Sequence, residues 1–265
     1  MSAVLDRIDA AKAEGRAALI GYLPVGFPSL EGSCAAITAL VESGADIVEV
    51  GLPYSDPVLD GPVIQLAAEA ALRRGTRVAD VFTAVRAAVA AGAPAVVMSY
   101  WNPVLQHGPE RFAEGLAEAG GSGVILPDLT PDVADEWFPA AERFGLDSTF
   151  LVAPSSTQER IHLTVEKTTG FVYAASLMGV TGERGSVGAQ AERLVRDTRA
   201  AGASHVCVGL GVSTGEHAAE VAAYADGVIV GSALVRCLVE NEGEAGLEAL
   251  RAKTAELAAG VRGST

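Results

Sequence analysis

The sequence predicts a (β/α)8, or TIM, barrel with an extra N-terminal helix, in which residues 1–265 form one domain. The chain has 265 residues, close to the roughly 250 that are typical of this fold. Hydrophobic residues make up 49% of the chain and aromatic residues only 5%, which indicates an aliphatic core like the interior of such barrels. Short apolar runs alternate with Ala-rich helical patterns, as in repeated βα units around a parallel sheet.

Eight apolar runs predict the strands, over residues 18–24, 46–51, 95–101, 123–127, 148–153, 170–175, 205–209 and 227–231. Apolar spacings of three and four predict helices near 34–41 and over 77–91, 109–119, 131–144, 157–167, 188–201, 214–223 and 232–240. A helix over 2–14 would cover one end of the barrel, and 243–260 would form a last helix. A doubly wound open sheet is the competing fold, but it normally has a Gly-rich fingerprint after its first strand, and residues 24–28 contain none.

Composition excludes several classes of function. The formal net charge is −14, which argues against nucleic-acid binding and against docking on an anionic membrane. A single phosphate remains possible, because backbone N–H groups can hold it without net positive charge. The three cysteines are dispersed and predict reduced thiols, and the N-terminus has no secretory signal, so we expect a cytoplasmic protein.

Metal and Schiff-base chemistry are also disfavoured. The four histidines are dispersed without metal-ligand spacing, so no metal is predicted. Lys167 is the only lysine near a predicted strand, and it precedes that strand instead of following it. A Schiff-base aldolase needs a lysine at the barrel mouth. The sequence therefore argues against a Schiff-base mechanism.

Two carboxylates stand out near the end of the second strand. Glu49 lies between valines and shares a strand face with Ile47 and Gly51. If that face points into the barrel, burial would raise the pKa of Glu49 and make it a general acid or base near neutral pH. An ion pair is the structural alternative. Asp60, in the following loop, would supply a second carboxylate if the loop folds over the mouth, although turn formation is its alternative role.

Glycine clusters follow the last two predicted strands. Residues 209–213 read GLGVS and residues 231–233 read GSA, and a predicted helix begins directly after each. Loops after strands 7 and 8 are the usual phosphate site of such barrels, whereas tight βα turns explain either cluster alone. Residues 176–188 contain four glycines, a composition typical of either a mobile lid or an ordinary surface loop.

These segments together resemble the α subunit of tryptophan synthase over nearly the whole chain. The most specific parts are EVGLPYSDPVLDGP at 49–62, GVTG at 179–182 and GLGVS at 209–213. The resemblance implies a lyase of tryptophan biosynthesis that cleaves indole-3-glycerol phosphate to indole and glyceraldehyde 3-phosphate by a retro-aldol reaction. It implies no cofactor in this chain, and a partner β subunit that carries pyridoxal phosphate in an α2β2 heterotetramer.

The resemblance also implies roles for individual residues. Glu49 corresponds to the general acid and base, Asp60 to the carboxylate that hydrogen-bonds the ring N–H, and Tyr173 to a tyrosine beside the glutamate. The remaining matches are phosphate-binding Gly182, Gly211, Gly231 and Ser232, the lid residue Thr181, and the indole pocket residues Tyr22, Tyr100, Ile125 and Leu210.

The chain departs from the family pattern at Leu177, where many relatives have arginine, at Leu210, where phenylalanine is frequent, and at Pro24 and Phe27. None of these changes removes a proposed catalytic group. Three alternatives stay open: a free-standing lyase of the same fold, another phosphate-binding barrel, and a non-catalytic regulatory subunit. Retention of both Glu49 and Asp60 disfavours the last two.

Overall fold

The computed structural model describes residues 2–176, 184–209 and 211–263, without the side chains of 184–187. The strands are β1 (Ala18–Pro24), β2 (Ile47–Gly51), β3 (Ala95–Met98), β4 (Gly123–Ile125), β5 (Asp147–Thr149), β6 (Leu151–Val152), β7 (Val172–Ala175), β8 (Val206–Gly209) and β9 (Gly227–Val230). The helices are α1 (Ala3–Ala13), α2 (Leu30–Glu42), α3 (Pro62–Arg73), α4 (Asp80–Ala90), α5 (Trp101–His107), α6 (Pro109–Glu118), α7 (Phe138–Phe144), α8 (Gln158–Lys167), α9 (Arg184–Ala200), α10 (Gly215–Ala222), α11 (Ser232–Glu240) and α12 (Gly243–Val261).

The strands form one parallel sheet that closes on itself. Its order is β5-β4-β3-β2-β1-β9-β8-β7-β6, so β1 pairs with β9. The two ends of this order, β5 and β6, are separated along the chain only by Phe150. The Phe150 carbonyl accepts a hydrogen bond of 3.0 Å from the Tyr173 amide, which continues the ladder to β7. The nine segments are therefore eight barrel strands with the fifth interrupted once, and the predicted barrel is confirmed.

The barrel interior and the surrounding helices use opposite faces of each strand. Ile20, Ile47, Val96, Ile125 and Ile229 belong to a buried cluster inside the barrel. A larger buried cluster contains the alternate strand residues and the inner faces of the helices. This alternation is what a strand period of two requires when both faces are covered.

Helix α1 closes the N-terminal end of the barrel, as the sequence predicted. Its side chains Val4, Ile8 and Ala11 belong to the interior cluster. Polar contacts hold its outer side: Asp9 lies 2.9 Å from the His205 ring, and Lys12 lies 3.3 Å from Asp226. With this end blocked, the opposite end at the carboxyl termini of the strands is the one open to a ligand.

The structure corrects several element boundaries. The third strand ends at Met98, and Trp101 begins a helix, because its amide donates to the Asp128 carboxylate at 2.8 and 3.0 Å. The helix predicted over 131–144 is a 3-10 turn over Pro131–Val133 followed by α7. Helix α3 was not predicted at all. No helix in the described part of the chain is long and apolar enough to cross a membrane.

Candidate active site

A cavity of about 340 Å³ opens at the carboxyl ends of the strands. Strand ends and the loops that follow them supply its walls, which is where barrel enzymes place their chemistry. The lining residues are Tyr22, Glu49, Leu59, Asp60, Gly61, Ile64, Met98, Ile125, Pro127, Leu151, Tyr173, Ala175, Ser176, Gly209, Gly211, Ile229, Gly231 and Ser232.

Glu49 projects from β2 into this cavity. It stands in register with Tyr22 of β1 and Val96 of β3, and it continues the inward face that Ile47 begins. Its side chain is almost fully buried, and Oε2 has no hydrogen-bond partner among the described residues. Burial, and then the negative charge of Asp60, raises the pKa of Glu49 to about 8. Glu49 is therefore protonated at neutral pH and able to donate a proton.

Asp60 reaches the same cavity from the loop over 52–61 that joins β2 to α3. The Tyr100 hydroxyl donates to its Oδ1 at 3.0 Å. Burial raises the pKa of Asp60, whereas this hydrogen bond from Tyr100 lowers it. The Gln65 side chain donates to the Asp60 carbonyl at 2.7 Å and ties the loop to α3. The two carboxylates thus sit in different environments, an arrangement that separates acid and base roles.

Two inward tyrosines flank Glu49, and glycines make room for their rings. A Cβ atom on Gly51 would lie 2.3 Å from the Tyr22 hydroxyl, and one on Gly209 would lie 2.3 Å from the Tyr173 hydroxyl. Real Cβ atoms do not approach so closely. Burial raises the pKa of both tyrosines well above the usual value, so both stay neutral hydrogen-bonding groups.

Replacing Gly209 with alanine is expected to displace Tyr173 and to lower both activity and stability. The added methyl group overpacks the cavity wall, which typically costs about 1–3 kcal/mol. Urea unfolding together with steady-state rates would measure this. Gly188→Ala in α9 is the control, since its Cβ would meet nothing within 4 Å. Equal stability and activity of Gly209→Ala and the control would contradict the packing argument.

Gly211, Gly231 and Ser232 line the same cavity, after β8 and β9. Gly211 has φ +68°, a conformation that favours glycine, and Ser232 is the first residue of α11. A Cβ on Gly61 would lie 3.9 Å from the Ser232 hydroxyl oxygen, so the loop that carries Asp60 passes beside this helix start. Backbone N–H groups at a helix N-terminus next to glycines can hold a phosphate.

The structure brings most of the predicted site residues together. Tyr22, Ile125 and Tyr173 line the cavity with both carboxylates and with three of the residues predicted to bind phosphate, Gly211, Gly231 and Ser232. Tyr100 is not among the lining residues; its hydroxyl instead donates a hydrogen bond to the Asp60 carboxylate. Thr181, Gly182 and Leu210, with the departure at Leu177, lie outside the described residues.

Several lining residues were missed by the sequence analysis. Met98 and Ile229 continue inward strand faces, so the same alternation that indicated Glu49 could have found them. Ile64 and Leu59 depend on the unpredicted helix α3 and on the path of the loop before it. In the described ranges, no group of three or more His, Cys, Asp or Glu side chains is arranged to hold a metal ion.

The fold and the site define a barrel enzyme with two carboxyl groups and a set of glycines in one cavity at the carboxyl ends of its strands. A family model described as "Tryptophan synthase alpha chain" matches residues 8–262. The chain belongs to the tryptophan synthase alpha chain family. It is 60% identical over 255 residues to the alpha chain of Nocardia farcinica, covering 96% of this chain and 94% of that one.

Two further comparisons agree. The chain is 60% identical over 260 residues to the alpha chain of Streptomyces avermitilis, covering 97% of this chain and 94% of the relative. A crystal structure of ligand-free tryptophan synthase from Mycobacterium tuberculosis superposes with a TM-score of 0.91 at 55% identity, covering 99% of this chain and 100% of that one. The chain is thus a lyase subunit of tryptophan biosynthesis that works with a β subunit, and pyridoxal phosphate belongs to that β subunit.

Proposed function

We propose that this chain cleaves indole-3-glycerol phosphate to indole and glyceraldehyde 3-phosphate by a retro-aldol reaction. The observation that carries the proposal is that a buried Glu49, whose Oε2 has no hydrogen-bond partner among the described residues, shares one cavity with a half-buried Asp60. One carboxyl group can hold a proton at neutral pH while the other is held by a hydrogen bond from Tyr100. Retro-aldol cleavage of this substrate requires a group that donates a proton and a carboxylate that stabilises positive charge.

The proton transfers assign a task to each carboxyl group. Protonated Glu49 delivers its proton to the ring carbon that bears the side chain, and the positive charge that develops on the ring nitrogen is stabilised by the Asp60 carboxylate. The resulting Glu49 carboxylate then takes the side-chain hydroxyl proton, so that the O–H electron pair forms the aldehyde C=O as the C–C bond breaks and Glu49 is protonated again. The electron pair of that bond returns to the ring, which leaves as neutral indole. Tyr173 lines the same cavity and interacts electrostatically with Glu49.

The rest of the site accounts for substrate binding. In this proposal the phosphate binds to Gly211, Gly231 and Ser232, at the start of α11. The indole ring packs on Tyr22 and Ile125. Gly182, Thr181 and Leu210 retain the phosphate, lid and pocket roles that the resemblance implies.

We further propose that the chain acts in the cytoplasm, as one domain over 1–265, within an α2β2 heterotetramer. Two exposed apolar side chains support a partner contact at the open end of the barrel: Val58 is 70% exposed and Leu59 is 46% exposed, both on the loop that carries Asp60. Exposed apolar groups next to a site are typical of protein–protein contacts.

The proposal is tested by indole release from indole-3-glycerol phosphate, with and without a tryptophan synthase β subunit. We expect weak release by the chain alone and a strong increase with the β subunit. Full activity without the partner would instead indicate a free-standing lyase. Absence of indole under both conditions, from folded protein with a cognate partner, would overturn the proposed reaction.

A further inference from the structure

Tyr100 occupies a central position behind the loop over 52–61. It continues the inward face of the third strand one pair of residues beyond Met98, yet it does not line the cavity. Its side chain is 1% exposed. Its ring packs against Tyr54, at the start of the loop, with ring centroids 5.2 Å apart and planes tilted by 32°. Its hydroxyl reaches the other end of the loop.

The hydrogen bonds of this hydroxyl fix the direction of its proton. The Leu59 amide donates to the Tyr100 oxygen at 3.1 Å. A backbone N–H can only donate, so the Tyr100 hydroxyl oxygen accepts this hydrogen bond. The single hydrogen of the hydroxyl is then free to be donated to Asp60 Oδ1, at 3.0 Å. The Asp60 carboxylate therefore accepts a hydrogen bond from a hydroxyl group that the Leu59 backbone N–H holds in place. Asp60 itself lines the cavity.

We propose that Tyr100 is a positioning residue, which holds the Asp60 carboxylate toward the cavity and, through Leu59, fixes the loop that carries it. The inference rests on the proposed function of Asp60 and assigns Tyr100 a role behind the carboxylate, not in the indole pocket. The same hydrogen bond favours the charged form of Asp60 against burial, with Glu49 and Tyr22 as the other titratable groups that interact with it.

Tyr100→Phe in the complex with the β subunit tests this inference, after the wild-type complex has been shown to release indole. Phenylalanine keeps the ring and its contact with Tyr54 but removes the hydroxyl. Hydrogen bonds to charged groups are stronger than those between neutral groups, so we expect loss of this one to lower kcat/KM by about tenfold or more. The acid limb of its pH profile should also move to higher pH, since Asp60 loses the donor that favours its charged form. Tyr54→Phe, which removes the neighbouring hydroxyl and leaves Asp60 untouched, is the matched control.

A double-mutant cycle separates positioning from a general structural effect. The readout is the dissociation constant of a substrate analogue in which both side-chain hydroxyls are replaced by hydrogen, so that no reaction occurs. Tyr100→Phe should weaken binding about tenfold when Asp60 is present. In an Asp60→Asn background the same change should alter binding by no more than about twofold. Equal losses in both backgrounds, or an unmoved acid limb with kcat/KM within twofold of the wild type, would overturn the inference.

Discussion

Replacing Glu49 with glutamine is expected to abolish indole release while leaving substrate binding largely intact. Glutamine keeps the size and shape of the side chain but has no transferable proton. Positioned acid–base groups typically contribute about 10²–10⁴-fold to rate, and Glu49 is proposed to handle the decisive proton transfers. A loss of this size should appear in kcat with little change in the affinity for a non-reacting analogue.

The measurement is single-turnover indole release together with analogue binding, on the complex with the β subunit. Glu69→Gln is a suitable control, because Glu69 is an exposed residue of α3 that pairs with Arg73 away from the cavity. The rate of the control should match that of the wild type. Near-normal turnover by Glu49→Gln would remove Glu49 from the mechanism.

Alternation along the strands explains why Glu49 could be predicted from the sequence. Its direction depends only on the local period of two and on which face Ile47 occupies, and both are readable from neighbouring residues. The glycine clusters around Gly211 and Gly231 could be found for a similar reason, because each lies between the end of a strand and the start of the next helix. Features that depend on only a few adjacent residues can therefore be predicted from the sequence.

Contacts between distant segments could not be predicted in the same way. The third strand was predicted to continue through Trp101, since aromatic residues favour strands. In the structure the Trp101 amide instead donates to the Asp128 carboxylate, and a helix begins there. Helix α3 was missed because its buried face consists of small side chains, Ala67, Ala68 and Ala71, although Gly61 and Pro62 mark its start. The position of Asp60 depends on this helix and on Tyr100, and so no local pattern fixed it.

The same Glu49→Gln change is expected to stabilise the protein at alkaline pH. The pKa of Glu49 is about 8 in the folded chain, against an ordinary value of 4.5. Between these values the folded state holds a proton that the unfolded state releases, so the contribution of Glu49 to stability falls as pH rises through this window. The free energy of unfolding of the wild type falls by about 1.4 kcal/mol per pH unit in this window because of Glu49. The total loss reaches several kcal/mol, as an order of magnitude, above pH 8.

Urea unfolding of the wild type and Glu49→Gln at pH 5 and pH 9 would measure this effect. Groups away from the cavity titrate equally in both proteins, so the difference between them isolates Glu49 together with the cavity groups that interact with its charge. The variant should gain stability over the wild type by several kcal/mol more at pH 9 than at pH 5, whereas Glu69→Gln should show no such trend. A pH-independent difference would mean that the Glu49 pKa is not raised. Burial of the Glu49 carboxyl group, whose Oε2 lacks a hydrogen-bond partner in the part of the chain that the structure describes, thus makes proton donation possible at neutral pH and destabilises the fold when that proton is lost.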